Sequence, residues 1–306
     1  MSEVPSDLEA LRRHIDEIDD KLQDLLIERI EIVSSVAAHK RHAGGVSAHQ
    51  PAREAEIIRR LLLRNGGVFP PATLVRMWRE LLAATVRQQG AFAVAVYAPP
   101  EASGFWDIAR DHYGSHTPMT AYRSTGQVIH AVTEGQAAIG VLPMPQEGDR
   151  DPWWRHLIAA DGQAPHVVAR LPFGARGNAR SDGADALAIG RGKEQATGED
   201  RTLFATENAP DVSRGRLVST LSGLGLSCTF MASCEHAGSI NTLFEIDGFI
   251  APADQRLDEF RTRLGPALYR LLRFGSYAVP VSAATLLGPR MIGYAPDRVA
   301  AAAAKS

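Results

Sequence analysis

From Asp7 to His42 the chain carries neither Gly nor Pro, and its apolar residues recur at Leu8, Leu11, Ile15, Ile18, Leu22 and Leu25. That alternating three-and-four step is the seam of a coiled coil. Asp7, one residue before Leu8, is a suitable N-cap. The pattern predicts one helix over residues 7–42, roughly 50 Å long at 1.5 Å per residue. A single small domain cannot cover a helix of that length, so the seam calls for a partner helix.

The cations on this helix narrow the argument. Arg29 and Lys40 lie about three turns apart, on nearly the same face and roughly 16 Å apart along the axis. Long side chains leaning toward each other can bracket one small anion. Arg12 shares a similar face but lies roughly 42 Å from Lys40, out of reach of the same ligand within one chain. A second copy packed antiparallel would bring its own Arg12 to this place, and two-fold symmetry would then create two equal sites.

Composition bounds the rest. The chain has 306 residues, 45% of them hydrophobic and 22% charged, with a formal net charge of −2. These values describe an ordinary globular protein of two or three units. No basic excess favours nucleic acid or a membrane surface as partner. No apolar run reaches the ~20 residues of a membrane-spanning helix. The start, MSEVPSDLEA, is acidic and polar, unlike a secretory signal, and Cys228 and Cys234 form no disulfide framework. A cytoplasmic location with reduced thiols is expected. His112, His116, His130, His156 and His166 lack paired ligand spacing, so neither metal nor cofactor is expected. Trp153-Trp154 reads as loop packing, and Gly223-x-Gly225 as a turn rather than a phosphate loop.

Further along, residues 51–64 predict a second helix, closed by Asn65-Gly66-Gly67. Pro70-Pro71 opens a third helix that ends at Gly90. The pattern then alternates: strand 91–97, helices 104–112 and 128–133, strand 137–142 and strand 186–189, which suggests an α/β unit with a partly parallel sheet. Residues 202–206 (strand), 214–224 (helix), 226–232 (strand), 241–248 (strand), 257–272 (helix) and 274–279 (strand) follow in the order βαββαβ, a ferredoxin-like topology. The Ala-rich tail is expected to fray.

One set of residues carries a resemblance: Leu11-Arg12, Ile18-Asp19-x-x-Leu22, Glu28-Arg29, Lys40, Arg53-Glu54, Trp78-Arg79-Glu80-Leu81-Leu82 and Thr85-x-x-x-Gln89. In a single register over residues 1–90 they resemble the all-helical chorismate mutases. The resemblance implies an all-α N-terminal domain forming an intertwined homodimer that rearranges chorismate to prephenate in aromatic amino-acid biosynthesis, on the shikimate pathway. That reaction is pericyclic and needs no nucleophile, metal or cofactor. It needs a fixed compact conformer and stabilisation of the charge growing on the ether oxygen. The resemblance places Arg29 and the second subunit's Arg12 on the carboxylates, and Lys40 and Gln89 at the ether oxygen. It places Glu54 at the ring hydroxyl, with Arg53 beside it among the substrate-binding residues, and Thr85 in support of a carboxylate. Lys40, Gln89 and Arg29 would be catalytic. Thr85 stands where the family more usually has Ser, and Gln50 where it often has an acid. Arg13, Lys21 and Arg41 read instead as solvated faces of the helix.

Residues 91–280 resemble a diverged prephenate dehydratase unit followed by an ACT-type regulatory domain. This rests on Gly140-Val-Leu-Pro143, Arg201-Thr202-Leu203, Arg214-Gly215-Arg216-Leu217 and Gly275-Ser276-Tyr277. The implied organisation is multidomain: a helical mutase domain over 1–90, a dehydratase-like α/β domain over 91–198, an α+β ACT-like domain over 199–282 and a tail over 283–306. The dehydratase chemistry departs from the family, because Ala184-Asp185-Ala186 stands where the family has Thr-Arg-Phe. Asp185 would repel a dianionic substrate. A shifted alignment would bring Arg180 and Ser181 to that place. At the amino-acid effector positions the chain reads Gly215-Arg216-Leu217 and Ala232-Ser233-Cys234-Glu235, so effector binding is either lost or altered in specificity. Three functions follow. The first is a mutase with a structural or regulatory C-terminal region. The second is a bifunctional mutase–dehydratase making phenylpyruvate, and the third a non-catalytic sensor of the pathway's metabolites.

Overall fold

The computed structural model describes residues 7–42, 48–66, 69–149, 152–158, 164–180 and 184–286, with side chains for all of these except 40–42. The N-terminal part is helical: α1 (Leu8–His42), α2 (Pro51–Arg64) and α3 (Pro71–Gln89). The backbone of Asp7 accepts from the Leu11 amide, as a residue at the head of a helix should. Pro51 opens α2 at a position where a missing amide costs nothing, and Gly66, at φ +59°, follows its C-cap Asn65.

By packing, the chain divides into two compact units. One gathers α1 and residues 85–91; the other gathers α2, the rest of α3 and the residues after 91. In the first unit the predicted seam of α1 is bare. Ile15, Ile18, Leu22 and Leu25 are exposed, Leu25 to 61%.

The second unit is built on one nine-stranded sheet. Its strands are β1 (Val94–Tyr97), β2 (Met119–Tyr122), β3 (Ile139–Pro143), β4 (His166–Leu171), β5 (Ala186–Gly190), β6 (Asp200–Asn208), β7 (Cys228–His236), β8 (Ser239–Asp247) and β9 (Leu268–Ala278). They lie in the order β2-β1-β3-β5-β4-β9-β6-β8-β7. Strands β1, β2 and β3 are parallel and β5 is antiparallel to β3 and β4, so the sheet is partly parallel as expected. Helices α4 (Gly104–Tyr113), α5 (Thr125–Thr133) and α6 (Trp154–Ile158) accompany this half. Strands β6 to β9 with α7 (Arg214–Ser222) and α8 (Gln255–Leu264) form the predicted βαββαβ arrangement, with β6 and β8 at its centre.

The two halves of the sheet join where β4 runs parallel to β9 through the single pair Val167–Gly275. Gly275 is required there. Its φ is +117°, and a Cβ at this position would stand 2.2 Å from the Val167 carbonyl oxygen.

Three expectations need correction. The helix predicted over 257–272 stops at Leu264, because Gly265 takes φ +61° and Pro266 follows, and β9 then begins at Leu268. Register shifts opposite Leu203/Phe204 and Glu207/Asn208 break the period-two alternation of β9. That leaves Leu264, Leu268, Leu271 and Leu272 at a helix-like spacing. Strands β2 and β4 lie outside the expected elements; β2 is a four-residue edge strand with no buried residue. Finally α5 starts earlier than Val128, on a capping box in which Ser124 and Gln127 satisfy each other's backbone amides.

Trp153 and Trp154 are core residues. The Trp153 indole donates to the Pro143 carbonyl at 2.9 Å, and Trp154 is fully buried. Each such side chain contributes several kcal/mol of burial, on the order of 25 cal/mol per Å².

Candidate active site

In the first unit, Arg12 is exposed on α1, and Arg29 is half-buried farther along it. Burial pulls the Arg29 guanidinium below its ordinary value, and its NH1 is buried without a hydrogen-bond partner among the described residues. A cationic donor held in that state is suited to an anionic acceptor. The backbone of Lys40 continues α1; its side chain, with those of Arg41 and His42, lies outside the described residues, as do Ser181 and the tail from residue 287.

Thr85 and Gln89 occupy the last turn of α3, one turn apart. Thr85 is buried, and the Gln89 amide donates to the Thr85 carbonyl at 3.1 Å. That bond satisfies a carbonyl orphaned at the helix end. A primary amide has two N–H donors, so one remains for another acceptor.

In the second unit, Arg53 is exposed on α2 and pairs with Glu56 at 3.0 Å. Glu54 is buried, and one of its oxygens is engaged: Arg79 NH1 donates to Oε2 at 3.0 Å. Its Oε1 lies 3.9 Å from His49 Nε2. Arg79 in turn lies over the ring of Phe173, 4.8 Å from its centroid. His49 packs against Phe92 and Tyr113, and His112 packs edge-on against Tyr113 at 4.7 Å. Burial lowers the pKa of both imidazoles, Arg79 adding to the effect, and burial raises that of the Tyr113 phenol. Glu54 thus sits in a buried cluster of aromatic rings and one cation.

The sequence motif Trp78-Arg79-Glu80-Leu81-Leu82 contains Arg79 but does not by itself place it opposite Glu54. The signal was present. Val75, Arg79, Leu82 and Val86 follow one another at steps of four, three and four, and all four are buried. A cation on an apolar stripe needs a buried anion.

At the place of the departed Thr-Arg-Phe triplet, Asp185 accepts from Arg170 at 3.2 Å and from Arg176 at 2.8 Å. Arg180 does not turn to that place: its side chain and amide donate to Asp107, which lowers the Asp107 pKa.

Residues 11–90 match the family model of chorismate mutase type II, a span that contains Arg12, Arg29, Lys40, Arg53, Glu54, Thr85 and Gln89. Among curated proteins, the chain is 32% identical over 142 residues to the bifunctional chorismate mutase/prephenate dehydratase of Aquifex aeolicus (strain VF5), covering 45% of this chain and 39% of that protein. It is 28% identical over 141 residues to the protein of the same name from Pseudomonas aeruginosa, covering 45% of this chain and 38% of that protein. The matched region thus spans about two fifths of the length of these curated relatives. Among solved structures, the prephenate dehydratase from Streptococcus mutans aligns with 62% of this chain and 98% of its own at 16% identity and a TM-score of 0.44. GqqA, described as a novel type of quorum quenching acylase, aligns with 62% of this chain and 95% of its own at 16% identity and a TM-score of 0.47. At its N-terminus, over residues 11–90, this chain carries a chorismate mutase type II domain.

Proposed function

We propose that the chain is a chorismate mutase, an isomerase that turns chorismate into prephenate by a pericyclic rearrangement. The observation that carries the proposal is the match over residues 11–90, which encloses the whole set of charged and amide residues suited to this substrate. The half-buried Arg29, with a donor left over, supports it.

Chorismate is a dianion with a ring hydroxyl and an ether oxygen. Arg29 and the Arg12 of a second copy bind its two carboxylates, with Thr85 supporting one of them. Arg53 belongs to the same substrate-binding set. Lys40 and the spare N–H of Gln89 face the ether oxygen and stabilise charge that develops only as the bond breaks. Glu54, through the oxygen that Arg79 leaves free, accepts from the ring hydroxyl. No proton needs to move, so positioning supplies most of the effect. The bare seam of α1 supports the antiparallel homodimer that brings the second Arg12 in, because exposed Leu22 and Leu25 need a cover.

Residues 91–198 serve as a dehydratase-like α/β domain without the dehydratase reaction, and residues 199–282 as an ACT-like domain. Asp185 occupies two arginines with a carboxylate of the chain itself, which supports this division. A second reading, a bifunctional enzyme that also forms phenylpyruvate, is favoured by the names of the curated relatives.

Arg29→Glu tests the mutase proposal. It should remove chorismate turnover while leaving the helical circular dichroism of the protein in place. Turnover that survives this reversal would overturn the assignment.

A further inference from the structure

A cavity of about 250 Å³ lies within the α/β unit where the start of β4, the loop after β5 and the middle of β9 meet. Leu157, Pro252, Leu272 and Phe274 give it apolar walls. None of the residues assigned to chorismate lines it, and neither do the altered effector positions on α7 and β7.

Its polar wall is built from three side chains. Glu194 has both oxygens engaged: Oε1 accepts from Arg273 NH1 and Oε2 from Ser276 Oγ, each at 2.5 Å. Arg273 Nε donates to the Ile250 carbonyl at 2.8 Å, and the guanidinium lies over the ring of Phe249. That fixes the fork and leaves NH2, which is buried and makes no hydrogen bond to any described residue. His166 Nε2 is in the same condition, 3.7 Å from Glu194 Oε1, which is beyond hydrogen-bond reach. Arg273 NH2 is therefore a buried donor without an acceptor among the described residues, His166 Nε2 beside it is a second one in the tautomer protonated there, and each Glu194 oxygen already accepts one hydrogen bond. Such a wall does not suit a cation. It suits an acceptor with two oxygens.

We infer that this cavity binds a small molecule with an apolar body and a terminal carboxylate, received by Arg273 NH2 and His166 Nε2. The apolar walls take the body, and the fixed guanidinium sets its direction. The site lies where the two halves of the sheet are joined by the β4–β9 pair, so a ligand held there touches both halves. The inference does not depend on mutase activity.

The test uses the full-length chain and calorimetric titration with 3-phenylpropanoate, beside 3-phenylpropan-1-ol as its uncharged counterpart. The expected result is saturable binding of the carboxylate at one site per chain, at least tenfold tighter than the alcohol. Arg273→Met should weaken it at least tenfold. Ala164→Phe, a larger side chain at a partly buried lining residue, should abolish it with the melting temperature retained, and this variant decides if Arg273→Met fails to fold. Arg29→Glu should leave the binding unchanged, which separates this cavity from the proposed mutase site. No saturable binding, equal binding of the alcohol, binding that survives Ala164→Phe, or binding lost in Arg29→Glu would overturn the inference.

Discussion

Arg79 on α3 donates to Glu54 on α2 at 3.0 Å, and both side chains are buried, at 4% and 8% exposure. Neither charge can be left alone in such surroundings. Arg79→Met should therefore cost about 3–5 kcal/mol, because it strands the Glu54 carboxylate. The double variant Arg79→Met/Glu54→Leu should recover most of that loss. Urea unfolding of the three proteins checks the pair; a single variant costing less than about 1 kcal/mol would contradict it.

His49 and His112 are buried beside this pair, close to Tyr113, and burial holds their pKa values below the ordinary 6.5. Well above pH 6.5 they are neutral in both folded and unfolded chains, and their contribution to stability is fully present. As pH falls below 6.5 the unfolded chain takes up protons that the folded chain refuses, so stability is lost. Unfolding free energy should already decline between pH 6.5 and the range where exposed carboxylates protonate. His112→Phe should flatten that slope; an unchanged slope would place the titration elsewhere.

Gly275→Ala should destabilise the chain by more than about 2 kcal/mol, since it combines a positive φ with a collision against the Val167 backbone. Gly265→Ala should cost less, because φ is also positive there but nothing stands within 4 Å of its Cβ. Equal losses in thermal unfolding would show that the β4–β9 seam is not tight.

The bare seam of α1 predicts self-association. Leu22→Lys with Leu25→Lys should shift the protein from dimer to monomer in sedimentation velocity and lower mutase turnover, because Arg12 then reaches no site. A dimer that survives both changes would assign the interface to another surface.

Much of this was legible in the sequence, and the exceptions have physical causes. Helices α1, α2 and α3 were read correctly because their apolar spacing is undisturbed and Pro51, Pro71 and Asn65-Gly66 mark their ends. The βαββαβ order was legible for the same reason. Strand β9 was read as helix over its first residues because two bulges replace its alternation with steps of three and four. The edge strand β2 spans four residues, too short a run to show an alternating pattern. At the candidate site, spacing singles out Arg29, Lys40 and Arg12, the resemblance adds Arg53, Glu54, Thr85 and Gln89, and neither gives the partner that each side chain meets. Which carboxylate meets Arg79 depends on how α2 packs on α3, and that is a property of the fold rather than of either segment.

The most direct measurement follows chorismate by ultraviolet absorbance with purified full-length protein, then assays the same mixture for phenylpyruvate without acid treatment, because acid alone converts prephenate. The account predicts that chorismate is consumed and prephenate accumulates without phenylpyruvate. Chorismate left untouched would contradict the mutase assignment, and enzymatic formation of phenylpyruvate would contradict the inactive role given to the region around Asp185.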